Sequence, residues 1–217
     1  MDKTEKNLLT TFEDWTLRHR PPSQRPSRLL LMLHGWTGDE NSMWLFARSL
    51  PENYWLVAPR APFNAPQGGY SWRAPVSGGW PSVELMLPAA AMLKDFVERW
   101  GIANSFDTSE IDVIGFSQGG AMTVVMGLRY PHLVRKLGVL AGFAPIGTDG
   151  YTTARPFAGK SIFWAHGRLD DTVPVTLARS SIELLEQCGA SVQYCESDIG
   201  HRVSGECVKG LEVYLSE

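Results

Sequence analysis

A serine, a histidine and two adjacent aspartates are the residues of this chain whose types and placement could carry nucleophilic chemistry. Ser117 lies at the centre of Gly115-Phe116-Ser117-Gln118-Gly119, which follows the apolar run Ile111 to Phe116 and opens a stretch with helical spacing. A serine so placed reads as a nucleophile elbow: the flanking glycines remove Cβ atoms that would collide in the sharp turn, and the hydroxyl is held out at its tip. A serine hydroxyl is a weak nucleophile at neutral pH and needs an imidazole to take its proton and later deliver it to a leaving group. Of the five histidines, His19 and His132 lie away from any strand exit and read as surface residues. His34 and His166 each precede a glycine at a strand end and read as strand terminators. His201, in Asp198-Ile199-Gly200-His201 after the last strand, is left as the base.

The imidazole needs a carboxylate to fix its tautomer and stabilise its charged form. Asp170 and Asp171 both follow Ser117 and precede His201, in the order Ser, acid, His of one of the known triad arrangements. Asp198, on the same short loop as His201, reads as a turn cap. Acyl transfer also needs two donors aimed at the developing oxyanion. The amide of Gln118 points there as a helix begins, and the loop His34-Gly35-Trp36-Thr37-Gly38 offers a second, that of Trp36.

The elements that must hold these groups alternate. Apolar runs at Leu29 to His34, Trp55 to Ala58, Ile111 to Phe116, Leu137 to Leu140, Ile162 to His166 and Val192 to Cys195 read as strands. Helices are expected at about 40–50, from Pro88 in a first turn to Gly101, at about 118–129, at 176–187 and at 206–215. The prolines from Pro59 to Pro81 leave a long loop between. Strands alternating with helices imply an α/β fold, a mostly parallel central sheet with helices on both faces, and place ligands at the carboxyl ends of the strands.

With 217 residues, 44% of them hydrophobic, the chain has the size of one domain, 1–217, with a sizeable core. The net charge is −3 with no long Lys or Arg block, so neither a nucleic-acid groove nor a polybasic membrane patch is indicated. Arg18, Arg20, Arg25 and Arg28 read as a solvated edge. Cys188, Cys195 and Cys207 are odd in number and lack Cys-x-x-Cys spacing, so reduced thiols and no metal site are expected. The polar first ten residues and the absence of a spanning window lead to an expected cytoplasmic location without stable membrane insertion. The oligomeric state stays open, a homodimer included.

The blocks Leu33-His34-Gly35, Ala58-Pro59-Arg60-Ala61-Pro62, Gly115 to Gly120, His166-Gly167 through Asp170 to Val173-Pro174, and Gly200-His201 resemble the phospholipase/carboxylesterase branch of the α/β hydrolases. The resemblance implies an α/β-hydrolase fold without a large cap domain. In that family the acid stands three residues before the Val-Pro pair, which maps onto Asp170, and the oxyanion donors map onto Trp36 and Gln118. It further implies hydrolysis of small-molecule carboxylic esters or thioesters with no metal or organic cofactor. Segment 63–73 is more like bacterial small-ester hydrolases than thioesterases acting on lipidated proteins. A substrate pocket walled by Tyr70, Trp72 and Trp80, with Phe143 and Tyr151 opposite, and an acyl group of small to medium length are expected. A lysophospholipase or acyl-protein thioesterase, and a non-catalytic receptor on a hydrolase scaffold, are the competing expectations.

Overall fold

The computed structural model describes residues 8–25, 27–75 and 79–217. Its main sheet has eight strands in the order β1-β2-β4-β3-β7-β8-β9-β10. The strands are β1 Leu8–Phe12, β2 Trp15–Arg20, β3 Arg28–Leu33, β4 Tyr54–Pro59, β7 Ile111–Phe116, β8 Val134–Leu140, β9 Ser161–Gly167 and β10 Ser191–Ser197. From β4 to β10 the pairings are parallel, while β1 and β2 form an antiparallel hairpin that adds to β4. Two short strands, β5 Phe63–Asn64 and β6 Tyr70–Ser71, make a separate ribbon.

Period-2 alternation sends Leu29, Leu31 and Leu33 to one face of the sheet and Leu30 and Met32 to the other. Helices α1 Val83–Ala103, α2 Gln118–Arg129 and α3 Val175–Gln187 cover the first face. Helix α4 Gly205–Ser216 and a 3₁₀ helix, Ser42–Ser49, cover the second. Both faces of β3, β7 and β9 are therefore dry, which is why their sequences read as unbroken apolar runs, whereas the edge strand β10 stays partly exposed.

Four expectations are corrected. The helix expected at 40–50 is a 3₁₀ helix whose entry is shaped by Asp39, the carboxylate accepting from Asn41 N at 2.9 Å and Ser42 Oγ at 3.1 Å. Pro88 lies inside α1 and not in its first turn, because Ser82 caps the helix earlier by accepting from Leu85 N. His19 is buried in β2, where its Nδ1 accepts from Trp55 Nε1 at 3.2 Å. Cys195 and Cys207 are joined by a disulfide, because the end of β10 and the first turn of α4 bring their Cα atoms within 5.7 Å; Cys188 is buried and free. No helix among the described residues is long and apolar enough to cross a membrane.

Candidate active site

Ser117 links β7 to α2 with φ 53° and ψ −117°, a backbone region that a non-glycine residue occupies only under constraint. A Cβ on Gly115 would overlap the Gly119 carbonyl, and one on Gly119 would overlap Leu33 O, so the turn closes only with glycine at both places. The Ser117 N–H donates to Leu140 O at 2.8 Å, which pins the elbow to the end of β8.

His201 lies on the loop between β10 and α4, its ring 4.9 Å from that of Phe116 by centroids. Its Nδ1 is 2.7 Å from Asp170 Oδ2. A carboxylate can only accept, so Nδ1 carries a proton, and in the neutral ring Nε2 then presents a lone pair. Asp170 is buried and fixed by its other oxygen, Oδ1, which accepts from Thr172 N at 2.9 Å and Val173 N at 2.8 Å. Asp171 is exposed and bonds only the Thr172 hydroxyl, at 3.4 Å. Ser117 Oγ itself has no hydrogen bond to His201 or to any other described residue.

His166 is near this pair but differently committed. Its Nε2 donates to Val173 O at 2.8 Å and stands 3.4 Å from Asp170 Oδ2. Burial holds its pKa below the ordinary histidine range, and the ring stays neutral. His34 is likewise buried and lowered by desolvation; its Nδ1 donates to Gly35 O at 2.7 Å and its Nε2 accepts from Ala61 N at 3.0 Å, which ties β3 to the strand beside it.

Trp36 follows β3, and Gln118 is the first residue of α2. Neither backbone N–H donates to a described residue, and both residues line one cavity of about 590 Å³ with Ser117. Two unpaired amides, one at a helix N-terminus, can stabilise negative charge that develops beside the serine. The Trp36 loop is set by Thr37 N donating to Tyr70 O at 3.0 Å and Tyr70 N donating to Gly38 O at 3.1 Å. Gly69, at φ 70°, lets the β5–β6 turn approach Thr37 O, where any Cβ would overlap it.

The expected aromatic wall is divided. Trp80 and Phe143 line the cavity with ring centroids 4.7 Å apart. Trp72 is not in the lining: it is fully buried against His34, its Nε1 donating to His34 O at 2.8 Å. Tyr70 is also outside the lining; the Arg60 guanidinium covers its ring at 4.5 Å. Arg60 in turn grips buried Glu40 at 2.8 and 3.0 Å, and that bond holds the Glu40 carboxyl below its usual range. Tyr151, expected opposite, packs against the core and not the cavity.

Two contributors went unread in the sequence. The Gln118 side chain accepts from Trp72 N at 2.9 Å and donates to Ser71 Oγ at 3.2 Å, so this residue clamps β6 as well as offering its amide. Arg73, next to Trp72, lines the cavity. The one signal for both was a polar side chain at a position that had to be buried or in the pocket wall.

The sheet order, the strand-turn-helix elbow and a site at the carboxyl ends of the parallel strands define an α/β hydrolase. Residues 19–217 match the Phospholipase/Carboxylesterase family, and the chain belongs to it. It is 26% identical over 223 residues to the probable carboxylesterase SOBER1-like of Arabidopsis thaliana, covering 99% of this chain and 81% of that one. A probable inactive carboxylesterase of Oryza sativa subsp. japonica is 27% identical over 192 residues, covering 81% of this chain and 78% of that one. Among solved structures, a carboxylesterase from Mesorhizobium loti superposes with a TM-score of 0.82 at 20% identity, over 98% of this chain and 99% of that one.

Proposed function

We propose that this protein is a serine carboxylesterase acting on small to medium acyl esters. The observation that carries the reading is the 2.7 Å bond between His201 and Asp170, the His201 ring lying against Phe116 beside Ser117, which lines one cavity with Trp36 and Gln118. In this mechanism Ser117 Oγ attacks the ester carbonyl carbon while its proton passes to His201 Nε2. The carbonyl oxygen, now anionic, accepts from the Trp36 and Gln118 amides. The bond to the leaving alkoxide breaks as His201 returns the proton to it, leaving an acyl-Ser117 ester and a free alcohol. Water then attacks that ester with His201 as base, and the carboxylic acid leaves as Ser117 regains its proton.

A cavity of about 590 Å³ falls within the range of small-molecule sites and supports acyl groups of modest length. A non-catalytic receptor is the second reading, favoured by the unbonded Ser117 Oγ and by the word inactive in the rice relative's name. Labelling with a fluorophosphonate decides between them: Ser117 should be modified in the wild type and ester turnover abolished in Ser117→Ala. Unlabelled, correctly folded protein would favour the receptor. A cytoplasmic location requires Cys195 and Cys207 to be reduced there; trapping their thiols at lysis tests it.

A further inference from the structure

We infer that the substrate carries a carboxylate, which Arg73 recognises. This rests on the esterase reading above and narrows it to esters with a negative charge on the acyl or the alcohol portion.

Among the described residues, Arg73 is the only charged one lining the main cavity, whose walls are otherwise Trp36, Trp80, Phe143, Val173, prolines, a glycine and a few neutral polar groups. It also lines an adjoining recess of about 30 Å³, again as the only charged residue among those described, together with Asn64 and Ser71. Its guanidinium is only partly committed. Nη2 donates to Gly79 O at 3.2 Å, whereas Nη1 is shut off from solvent and has no hydrogen-bond partner among the described residues. No described carboxylate forms an ion pair with it, in a protein where Arg60, Arg135, Arg168 and Arg179 all do.

A guanidinium stays charged at any pH the protein meets, so Arg73 places an uncompensated cation in a largely apolar pocket. Nη1 is closed off where it stands, so a ligand would meet the part of the guanidinium that lines the cavity, where no described carboxylate of the chain offsets its charge. A carboxylate is the planar, bidentate acceptor that suits a guanidinium, and in walls of low polarity the pair gains more than it would in water. The position is also held. The Trp72 N–H to Gln118 bond and the Trp72 indole to His34 bond fix the residue before Arg73, and Gln118 is itself the neighbour of Ser117. The cation is thereby registered against the reacting centre.

Three substrates test this: ethyl hexanoate, monoethyl adipate with a carboxylate on the acyl end, and the hexanoyl ester of glycolate with a carboxylate on the alcohol. Turnover is followed by pH-stat in wild type, Arg73→Gln and Arg73→Lys. In the wild type, kcat/KM for one charged ester should exceed that for ethyl hexanoate about tenfold or more, and which one identifies the charged end. The charged-to-neutral ratio should fall about tenfold or more in Arg73→Gln and less in Arg73→Lys, consistent with a charge-assisted bond. A merely structural clasp to Gly79 would lower all three substrates in parallel and leave the ratio where it was. A wild type with no preference for either charged ester, or a ratio untouched in Arg73→Gln, overturns the inference while normal ethyl hexanoate turnover leaves the esterase reading standing. If none of the three is hydrolysed and Ser117 resists a fluorophosphonate, both fall together.

Discussion

Asp170→Asn removes one charge and almost no volume, and the surrounding bonds dictate what the amide must do. Oδ1 accepts two backbone N–H groups, from Thr172 and Val173, so the carbonyl oxygen of the new amide has to take that place. Its NH₂ is then forced toward His201 Nδ1, 2.7 Å away in the wild type. A donor there requires Nδ1 to accept, which moves the ring proton to Nε2 and leaves no lone pair facing Ser117. The general base is disabled with its geometry intact, so kcat should drop by about 10⁴, or about 5.4 kcal/mol in activation free energy. Stability should fall by only about 1 kcal/mol, since both backbone bonds survive and the new strain is one donor-donor contact with His166 Nε2. Steady-state hydrolysis of 4-nitrophenyl butyrate and thermal melts measure the two quantities. Asp171→Asn, on an exposed side chain, is the control and should match the wild type. A soluble, normally melting Asp170→Asn with more than a tenth of wild-type kcat would refute the tautomer reasoning.

Four further outcomes concern the frame. Asp112 is fully buried in β7, where it accepts from Arg135, Tyr54 and Lys136 N; Asp112→Ala should cost about 3 kcal/mol by urea denaturation, because it strands the Arg135 charge. Burial depresses His34 and His166 below 6.5, so the folded protein binds fewer protons there than the unfolded chain and stability declines as pH falls through that value. Glu40 and Glu196, the latter lowered to about 2, are held down chiefly by Arg60 and Arg179; the stability they add is present above about 4.5 and lost as pH falls from there toward 2. Denaturation midpoints that stay constant from pH 7 to pH 5 would contradict the first statement, and midpoints constant from pH 5 to about 2 the second. Reducing the Cys195–Cys207 bridge, which closes a 12-residue separation around His201, should lower stability by about 3 kcal/mol, read as a melting shift that the double serine variant reproduces without reductant.

What the sequence disclosed is what local sterics and periodicity govern. The elbow was legible because only glycine tolerates the closeness at 115 and 119, and the apolar runs of β3, β7 and β9 because both their faces are covered. The β1–β2 hairpin was not. The inward side of β2 is Trp15, Leu17 and His19, and a histidine in the third place, between Arg18 and Arg20, breaks the apolar alternation that marks a half-buried strand. The disulfide escaped notice because its partners meet only once α4 folds back beside β10. Sorting Trp72 from Trp80 was equally a tertiary matter: Gln118 draws the backbone of Trp72 inward, while Trp80 is placed by Ile146, whose N–H donates to Pro81 O and whose carbonyl accepts from Val83 N.

The loops that carry the candidate residues are each tied down by groups other than those candidates. The Trp36 loop is stitched to Tyr70, whose ring is covered by Arg60, which Glu40 holds. The His201 loop is anchored by Leu169 N donating to Ile199 O, by Arg168 reaching Asp198 and Glu196, and by the disulfide. On the esterase reading proposed above, such ties would hold the donors and the base in place before a substrate arrives and leave little ordering to oppose the chemical step. Gln118 joins two of these systems, since it lines the cavity while its side chain holds the residue next to Arg73. On the proposed reading, a displacement of β6 would therefore shift one oxyanion donor and the cation together, so that selectivity and rate would rest on the same support.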